Sequence, residues 1–313
     1  MAKLLVTGCA GFIGSTLAEQ LIKEGHTVIG IDCFRSNYDR NRKERNLSWL
    51  SQQPRFHFLE QDLITAEISP LLDGVNVIFH LAALPGVRTS WGADFRSYVD
   101  NNILATQRLL ETAKESKSIN KIVYSSSSSV YGGMNGPTIE DHTPHPISPY
   151  GVTKLSAEQL CQLYHINFGL PVQSLRYFTV FGPRQRPDMA FHRIITRILT
   201  EQPIPIYGDG EQSRDFTFVD DIVTANILAA HAPSSGEIFN IGGISHLTVN
   251  EVITIMEKQT GKKALKNYLP PQPGDPKHTW ADISKAKKLL RYEPTFDIEK
   301  GIALQIEEIK KDF

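Results

Sequence analysis

Cysteine is scarce in this sequence. Three cysteines occur in 313 residues, at Cys9, Cys33 and Cys161, and they are far apart and odd in number. A secreted domain held by disulfides contains many paired cysteines, and a zinc site places its ligands at short, regular spacings. We therefore expect buried, reduced thiols, and neither a disulfide framework nor a metal site.

An excess of charge and a long apolar run are also absent. The 33 basic and 34 acidic residues give a formal net charge of -1, which is not typical of a protein that binds nucleic acid or an anionic membrane surface. The chain has neither a signal-peptide pattern nor an apolar stretch long enough to span a bilayer. With 41% hydrophobic residues, it is expected to be a globular cytoplasmic protein.

Apolar, β-rich segments alternate with segments of helical period. The predicted strands are continuous apolar runs: KLLVT, HTVIGID, RFHFLE, VNVIFHLAA, NKIVYSS and PVQSLRYF. Continuous apolarity indicates strands covered on both faces, which predicts an α/β fold with a doubly wound parallel sheet of the Rossmann type. Prolines and glycines after residue 178 predict a smaller mixed α/β C-terminal lobe. We assign 1–178 to the first domain, with 218–243 returning to it, and 179–217 and 244–313 to a substrate lobe.

A glycine-rich turn follows the first predicted strand. Gly8, Gly11 and Gly14 have G-x-x-G-x-x-G spacing and open a helix, a context in which backbone can approach a pyrophosphate at free helix N–H groups. The second strand ends in Asp32, where a carboxylate accepts hydrogen bonds from an adenosine ribose. The same charge repels a 2′-phosphate, so the pattern predicts NAD as the cofactor.

A tyrosine and a lysine lie one helical turn apart. Tyr150 and Lys154 share one helix face, so an ammonium group can favour the phenolate form of a tyrosine that acts as acid or base. Such i,i+4 pairs are also common on helix surfaces. Here the pair follows a run of five serines, Ser125 to Ser129, at a predicted strand end, where ligands bind in open α/β sheets.

Several motifs together resemble one family. TGCAGFIG at 7–14, HLAA at 80–83, SSVYG at 128–132, Y-x-x-x-K, FGPRQRP at 181–187 and GDGEQSRDFTFVDD at 208–221 look like the extended short-chain dehydrogenases/reductases that act as nucleotide-sugar epimerases and dehydratases. The resemblance implies NAD, a nucleoside-diphosphate sugar, and Ser127, Tyr150 and Lys154 as catalytic residues. Besides the glycines, Asp32, Tyr150 and Lys154, it implies these cofactor contacts: Phe12, Ile13, Asp62, Leu63, Leu81, Ala83 and Asn102. Core packing is the alternative for most of the apolar ones.

The residues after Ser127 favour one reaction among sister reactions. The 4,6-dehydratases of this family carry an Asp-Glu pair where this chain has Ser128 and Ser129, and the decarboxylases carry a glutamate at the position of Ser129. Hydroxyl groups do not readily replace these acids and bases. The sequence therefore predicts 4-epimerisation through a 4-keto sugar. An NAD-sensing binding protein and an oxidoreductase that releases NADH remain alternatives from other classes.

Thr179 and Arg88 bear on the sugar. Thr179 stands where UDP-glucose epimerases of the family usually carry asparagine, and with the serines and Arg88 the resemblance is closest to the UDP-glucuronate 4-epimerases. Small neutral donors can satisfy a carboxylate in both orientations of a rotating ring. Local packing of Thr179 and Arg88 is the alternative, and UDP-glucose epimerisation and UDP-glucuronate decarboxylation remain alternative reactions.

The nucleotide end is assigned to the second lobe. Six arginines stand against four acidic residues between 176 and 214, a bias suited to a diphosphate. The resemblance implies these substrate contacts there: Arg186, Phe191, Tyr207, Arg214 and Asp275. It also implies a homodimer built on the helices near 101–116 and 149–167.

Overall fold

A seven-stranded parallel sheet organises the structure. The computed structural model describes residues 1–133 and 136–313. The sheet has the order β10-β6-β5-β4-β1-β2-β3. Its strands are β1 (Lys3–Thr7), β2 (Thr27–Asp32), β3 (Phe56–Glu60), β4 (Val77–His80), β5 (Lys121–Ser127), β6 (Val172–Tyr177) and β10 (Ile238–Ile241). Every neighbouring pair is parallel, so the predicted doubly wound parallel sheet is confirmed.

Helices cover both faces of this sheet. The α-helices are α1 (Phe12–Lys23), α2 (Arg40–Leu47), α3 (Phe95–Tyr98), α4 (Ala105–Ala113), α5 (Pro149–Phe168), α6 (Ala190–Leu199), α7 (Val219–His231), α8 (Val249–Thr260), α9 (Ser284–Leu290) and α10 (Ile298–Lys310). Short 3₁₀ turns occupy Leu50–Gln52, Ser69–Leu72, Gly92–Asp94 and Ser128–Val130, and a π-helical segment spans Val99–Leu104. Among the described residues, no helix is long and apolar enough to cross a membrane.

The apolar runs of the strands are explained by two separate cores. In β1, Leu4 and Val6 pack into the core that contains α1 and α7, whereas Leu5 packs into the core that contains α4 and α5. Successive side chains of a strand point to opposite faces. A strand covered on both sides must therefore be apolar at every position, as β1 is.

Strand order places the ligand-binding edge. β1 lies between β2 and β4, so the chain winds in opposite directions on either side of β1, and the carboxyl ends of these strands form a crevice at such a switch point. Thr7, Asp32, His80 and Ser127 end their strands at this edge.

A smaller set of strands completes the chain. In one sheet, β9 (Ser213–Phe218) pairs with β7 (Thr179–Phe181), β11 (Ser245–Thr248) and β13 (His278–Thr279). In another, β8 (Ile204–Tyr207) pairs with β12 (Lys266–Leu269). The short segment between β6 and β7, which contains only Phe178, therefore passes from the large sheet to the smaller one.

Candidate active site

Two glycines of the turn leave no room for a side chain. Gly8 has φ +71°, and a Cβ there would lie 2.9 Å from the amide nitrogen of Ala82. A Cβ on Gly14 would lie 2.2 Å from the carbonyl oxygen of Gly8. The first amides of a helix have no intrahelical acceptor. Gly11 precedes α1 and provides no side-chain cap for them. This arrangement suits an anion at the amino end of α1.

Asp32 is held at the end of β2 by two backbone amides. Its carboxylate accepts hydrogen bonds from the amide nitrogens of Ala10 at 3.2 Å and Phe34 at 2.8 Å. Burial raises the pKa of Asp32, and the nearby charge of Lys43 opposes that rise. Lys43 was not predicted as a site residue, because α2 is so polar that a single buried lysine does not stand out in its sequence.

The other predicted cofactor residues fall into two groups. Leu81 and Ala83 follow β4 at the ligand-binding edge, and the amide of Leu81 donates to Thr7 Oγ1 at 3.2 Å. Phe12 and Ile13 form the first turn of α1. These four residues flank the glycine turn.

The side chains of the second group make contacts within the protein. Asp62 pairs with Arg35 at 2.8 Å, Leu63 lies in the core, and the side chain of Asn102 is buried. The Asn102 amide accepts from the backbone nitrogen of Leu84 at 2.7 Å and donates to its oxygen at 3.0 Å. Asn102 therefore holds the backbone of a loop.

Ser127 and Tyr150 are brought together. Ser127 ends β5, and its Oγ accepts a hydrogen bond from the amide of Ser129 at 3.1 Å. Tyr150 lies in the first turn of α5. Burial raises the pKa of Tyr150, whereas a hydrogen bond with Ser127 and the charge of Arg186 lower it. A phenol with these neighbours can exchange a proton with a bound hydroxyl group.

Lys154 is held against β5. Its ammonium group donates to the carbonyl oxygen of Ser125 and lies 4.5 Å from the ring centre of Tyr124. Burial lowers the pKa of Lys154 to about 8, and Glu158 acts in the opposite direction. The positive charge that acts on Tyr150 in this structure is that of Arg186. The i,i+4 spacing places Lys154 on the same helix face as Tyr150, and the Lys154 ammonium group bonds to the carbonyl of Ser125 within β5.

The serine run divides into two parts. The Oγ of Ser126 donates to Glu158 at 2.6 Å, on the opposite side of β5 from Ser127. Ser128 and Ser129 instead line a pocket of about 140 Å³. The run is therefore part of a strand and a ligand-facing turn.

The pocket joins the sheet edge to the second lobe. Ser128, Ser129 and Thr179 line it together with Arg214 and Asp275. Hydroxyl groups and a guanidinium thus face one cavity, which matches a ligand with both a polar ring and a more strongly anionic group.

Four residues predicted to contact the substrate lie against one another. Asp275 accepts from Arg88 at 2.7 Å through one oxygen and from Arg214 at 2.9 Å through the other. The guanidinium carbon of Arg88 also lies 4.2 Å from the ring centre of Tyr207. Residues far apart in the chain therefore form one charged cluster.

Phe191 and Arg186 are the other two predicted contacts in this part of the chain. The side chain of Phe191 is 1% exposed and packs against Phe181 and Phe216, with ring centres 4.9 and 4.8 Å apart. The prediction of Phe191 as a substrate contact is therefore corrected at the side chain, because an aromatic ring at the start of the amphipathic α6 fills the core beside β7 and β9. Arg186 forms a two-point ion pair with Asp188 at 3.0 and 2.8 Å.

His80 is a further residue at the sheet edge. Its imidazole is buried between Thr7 Oγ1 at 2.8 Å and Thr106 Oγ1 at 3.0 Å. Burial lowers the pKa of His80 to about 3, so the ring is neutral. Because Thr7 Oγ1 already accepts the amides of Leu81 and Ala82, its proton points to His80 Nδ1. The ring therefore links Thr7 in β1 to Thr106 in α4, and Thr7 in turn holds the start of the loop after β4.

Comparison with known proteins identifies the family. The sequence model of the NAD dependent epimerase/dehydratase family matches residues 4–242. The chain belongs to this family. The resemblance drawn from the motifs is thereby confirmed.

Two curated family members cover nearly the whole chain. An uncharacterised UDP-glucose epimerase of Bacillus subtilis is 49% identical over 306 residues, which cover 97% of this chain and 96% of the relative. A UDP-glucuronate 4-epimerase of Thermodesulfobacterium geofontis is 43% identical over 307 residues, which cover 96% and 94%.

A solved structure of a family member is also similar. It is a UDP-glucuronic acid 4-epimerase from Bacillus cereus in complex with UDP-glucuronic acid and NAD. The two chains are 49% identical, the match covers 99% of this chain and 100% of the other, and the TM-score is 0.97.

Proposed function

We propose that this protein is an NAD-dependent UDP-sugar 4-epimerase that converts UDP-glucuronate to UDP-galacturonate. One observation carries the choice of reaction and sugar. Ser128, Ser129 and Thr179 face the same pocket as Arg214 and Asp275. The hydroxyl groups suit a sugar carboxylate, and the guanidinium of Arg214 suits a diphosphate.

The residues around the glycine turn fit NAD. Gly8 and Gly14 leave no room for side chains, α1 presents free amides to a pyrophosphate, and Asp32 offers carboxylate oxygens to a ribose. The prediction of NAD as cofactor is confirmed by the family and by the Bacillus cereus relative, which binds it. Bound NAD supplies the hydride acceptor and donor for C4 of the sugar.

Tyr150 is the proposed acid and base. In the oxidation half, its phenolate oxygen takes the proton of the sugar 4-hydroxyl while the C4 hydrogen leaves as hydride. In the reduction half, the phenol returns the proton to the 4-oxygen after the 4-keto ring has turned over. Burial raises the pKa of Tyr150, and Ser127 and Arg186 act against that rise, so these two neighbours are the ones that favour the phenolate that the first half requires.

The hydroxyl groups are the proposed carboxylate site. A carboxylate at C5 must be bound in both orientations of the rotating ring, and several small neutral donors can follow it with little rearrangement. Oxidation at C4 also creates a β-keto acid, which tends to lose carbon dioxide. Hydrogen bonds from Ser128, Ser129 and Thr179 would stabilise the carboxylate and hold the breaking bond out of line with the ketone.

The arginine cluster is the proposed diphosphate site. Arg214 is 14% exposed at its side chain, and burial lowers its pKa while Asp275 raises it. Arg88 and Arg214 both point at the Asp275 carboxylate, so two guanidinium groups already converge on one anion. The ring of Tyr207 beside Arg88 is the proposed surface for the base.

We also infer that the protein is a cytoplasmic homodimer. The outer face of α5 exposes Leu163, Ile166 and Phe168 at 52%, 73% and 58%, and Leu104, just before α4, is 41% exposed. Exposed apolar side chains on two helices that contact each other are typical of a protein–protein interface. The two helix regions are those predicted from the sequence to form a dimer.

The reaction is tested by identifying the products. The protein is incubated separately with UDP-glucuronate, UDP-glucose and UDP-xylose, and each mixture is followed by NMR. We expect UDP-galacturonate from UDP-glucuronate, with no net NADH. A UDP-pentose as the main product would identify a decarboxylase. Turnover of UDP-glucose alone would identify the activity named for the Bacillus subtilis relative.

A further inference from the structure

The loop that carries Arg88 is held near its start, at Leu84. Leu84 follows β4, and both its backbone nitrogen and its oxygen bond to the side-chain amide of Asn102, at 2.7 and 3.0 Å. The remaining amide hydrogen of Asn102 reaches Thr153 Oγ1 at 3.0 Å, in α5. One buried side chain thus fixes the start of the loop relative to the catalytic helix.

The middle of the loop is held by Tyr98. The Tyr98 hydroxyl lies 3.0 and 3.1 Å from the carbonyl oxygens of Pro85 and Gly86. Since carbonyl oxygens only accept, the hydroxyl donates to them and accepts from Thr89 Oγ1 at 2.7 Å. Gly86 has φ +121°, a conformation open to glycine, so the turn is shaped for this contact.

Tyr98 also touches the proposed catalytic tyrosine. The rings of Tyr98 and Tyr150 meet edge to face, with centres 6.3 Å apart and planes at 76°. Tyr98 immediately precedes the π-helical segment and Asn102 lies within it, and this segment widens the helix locally. Positions four residues apart remain on nearly one face there, so both side chains point to the same loop.

The end of the loop is bonded directly to the catalytic helix. Ser90 is fully buried, and its Oγ accepts the amide of Tyr150 at 3.1 Å and donates to the carbonyl of Val87 at 2.8 Å. The N-cap residue of α5, Ser148, already serves the amide of Gly151. Ser90 therefore satisfies a second free amide of the first turn from outside the helix.

The same loop reaches across the cleft. Arg88, two residues before Ser90, bonds to Asp275 and lies over Tyr207, both in the second lobe. Val87, whose carbonyl accepts from Ser90, lines the pocket with Ser128. The loop is thus a short covalent and hydrogen-bonded path from the proposed diphosphate site to the backbone of Tyr150.

We propose that Ser90 and Tyr98 are positioning residues that make the placement of Tyr150 depend on how Arg88 is engaged. This inference rests on the proposed function. Because Leu84, Gly86 and Ser90 are all held by hydrogen bonds, a shift of Arg88 on binding a nucleotide diphosphate is not taken up by rearrangement within the loop. It passes to the amide of Tyr150 through Ser90 and to the Tyr150 ring through Tyr98.

The kinetic test compares Ser90→Ala with Ser90→Thr. The alanine variant removes the bond to Tyr150 and leaves the phenol in place, and a misplacement of about 1 Å reduces the rate by roughly 10²-fold. We therefore expect kcat for UDP-glucuronate to fall roughly tenfold to a hundredfold with KM changed less than about threefold, and Ser90→Thr to restore most of kcat. Ser156→Ala on α5, where Oγ bonds only to the carbonyl of Val152 at 2.9 Å, is the matched control.

A second variant separates coupling from loss of folding. Tyr98→Phe keeps the ring against Tyr150 and removes only the hydroxyl that holds the loop, so it also lowers kcat. If both residues act through one loop, the Ser90→Ala/Tyr98→Phe double variant loses less than the product of the single losses. Unchanged kcat in Ser90→Ala, a loss that Ser90→Thr does not restore, or fully multiplicative losses would overturn the proposal.

A readout without turnover keeps this test separate from the proposed function. Hydrogen–deuterium exchange is measured in the holoenzyme with and without UDP, over peptides that contain 84–91 and 148–153. We expect UDP to protect both segments in the wild type and only 84–91 in Ser90→Ala. Equal protection of 148–153 in both proteins overturns the coupling, whatever sugar the wild type epimerises.

Discussion

Glu158 and Arg176 form a buried two-point ion pair beneath the serine-bearing edge of the sheet. Arg176 Nη2 lies 2.6 Å from Glu158 Oε1, and Arg176 Nε lies 3.0 Å from Glu158 Oε2. The side chains of Glu158 and Arg176 are 0% and 2% exposed. The Glu158 carboxylate also accepts from Ser126, and Arg176 donates to Tyr131 at 2.6 Å. The pair therefore ties α5, β5 and β6 together directly behind the proposed catalytic residues.

Removing one charge of this pair should strongly lower the free energy of unfolding. Glu158→Gln leaves the Arg176 guanidinium buried without its counter-ion, and such a loss costs about 3–5 kcal/mol. We expect this decrease in the free energy of unfolding by urea. Glu299→Gln, which breaks an exposed contact with Lys258 at 3.7 Å, is the control and should cost less than about 1 kcal/mol. Similar small losses for both variants would contradict the structural role of the pair.

Tyr150→Phe should abolish turnover and spare cofactor binding. The ring and its packing against Tyr98 remain, and only the acid/base is lost, so kcat should fall roughly 10²–10⁴-fold. NAD content after gel filtration, measured on the denatured protein, should equal that of the wild type. Tyr268→Phe, at an exposed residue of β12, should have normal activity. A Tyr150→Phe enzyme with normal kcat would remove Tyr150 from the mechanism.

Thr179→Asn should change the preference between sugars. The substitution replaces a short hydroxyl donor in the pocket with a longer amide, so the ratio of kcat/KM for UDP-glucuronate to that for UDP-glucose should fall roughly tenfold, about the value of one hydrogen bond to a charged group. The same change at Thr224, on α7 outside this pocket, should leave the ratio as it is. An unaltered ratio in Thr179→Asn would exclude Thr179 from carboxylate recognition.

Asp215 should give stability a characteristic pH dependence. Its carboxylate accepts the amides of Gly243 at 2.7 Å and Ala281 at 3.2 Å, and burial raises its pKa from 3.8 to about 6. Because the folded pKa is the higher one, the folded state binds the proton between about pH 6 and pH 4. The destabilisation from the buried charge is complete above pH 6 and is relieved as the pH falls.

Asp215→Asn tests this sign. Asparagine keeps one acceptor oxygen and carries no charge, so the wild type alone gains stability on acidification at this position. The unfolding free energy of the wild type minus that of the variant should be larger at pH 5 than at pH 7 by roughly 1 kcal/mol. Urea titrations at the two pH values measure it. A difference that does not vary with pH would mean that Asp215 titrates normally.

The proposed dimer is tested on α5. Ile166→Glu places a charge on the most exposed apolar side chain of that helix, so we expect the protein to become monomeric in light scattering. Leu289→Glu changes a 46% exposed leucine on α9 and should leave the mass unaltered. A wild-type monomer, or a dimer that Ile166→Glu does not weaken, would contradict the proposed interface.

Features that depend on local backbone demands were predictable from the sequence. Gly8 is favoured by its positive φ and Gly14 by its contact with the carbonyl of Gly8, and the strand ending at Ser127 is marked by its apolar run. In each case the determining interactions are close in sequence.

Features that depend on distant contacts were not predictable. Arg88 and Asp275 are 187 residues apart, and nothing local indicates that they pair. Phe191 was misassigned because helical period gives the apolar face of α6 but not what packs against it. The spacing of Tyr150 and Lys154 predicts a shared helix face, but the bond from the Lys154 ammonium group to the carbonyl of Ser125 depends on a strand that is distant in sequence.

The carboxylate of Asp275 gives the cleft selectivity among anions. Any anion that reaches Arg88 and Arg214 must displace a negative charge that both guanidinium groups already hold, so binding there is an exchange of one counter-ion for another. A lone inorganic phosphate would have to break both ion pairs with few contacts in return. A nucleotide that also covers Tyr207 gains additional contacts for the same displacement. Small anions that are abundant in a cell are therefore weak competitors at this site.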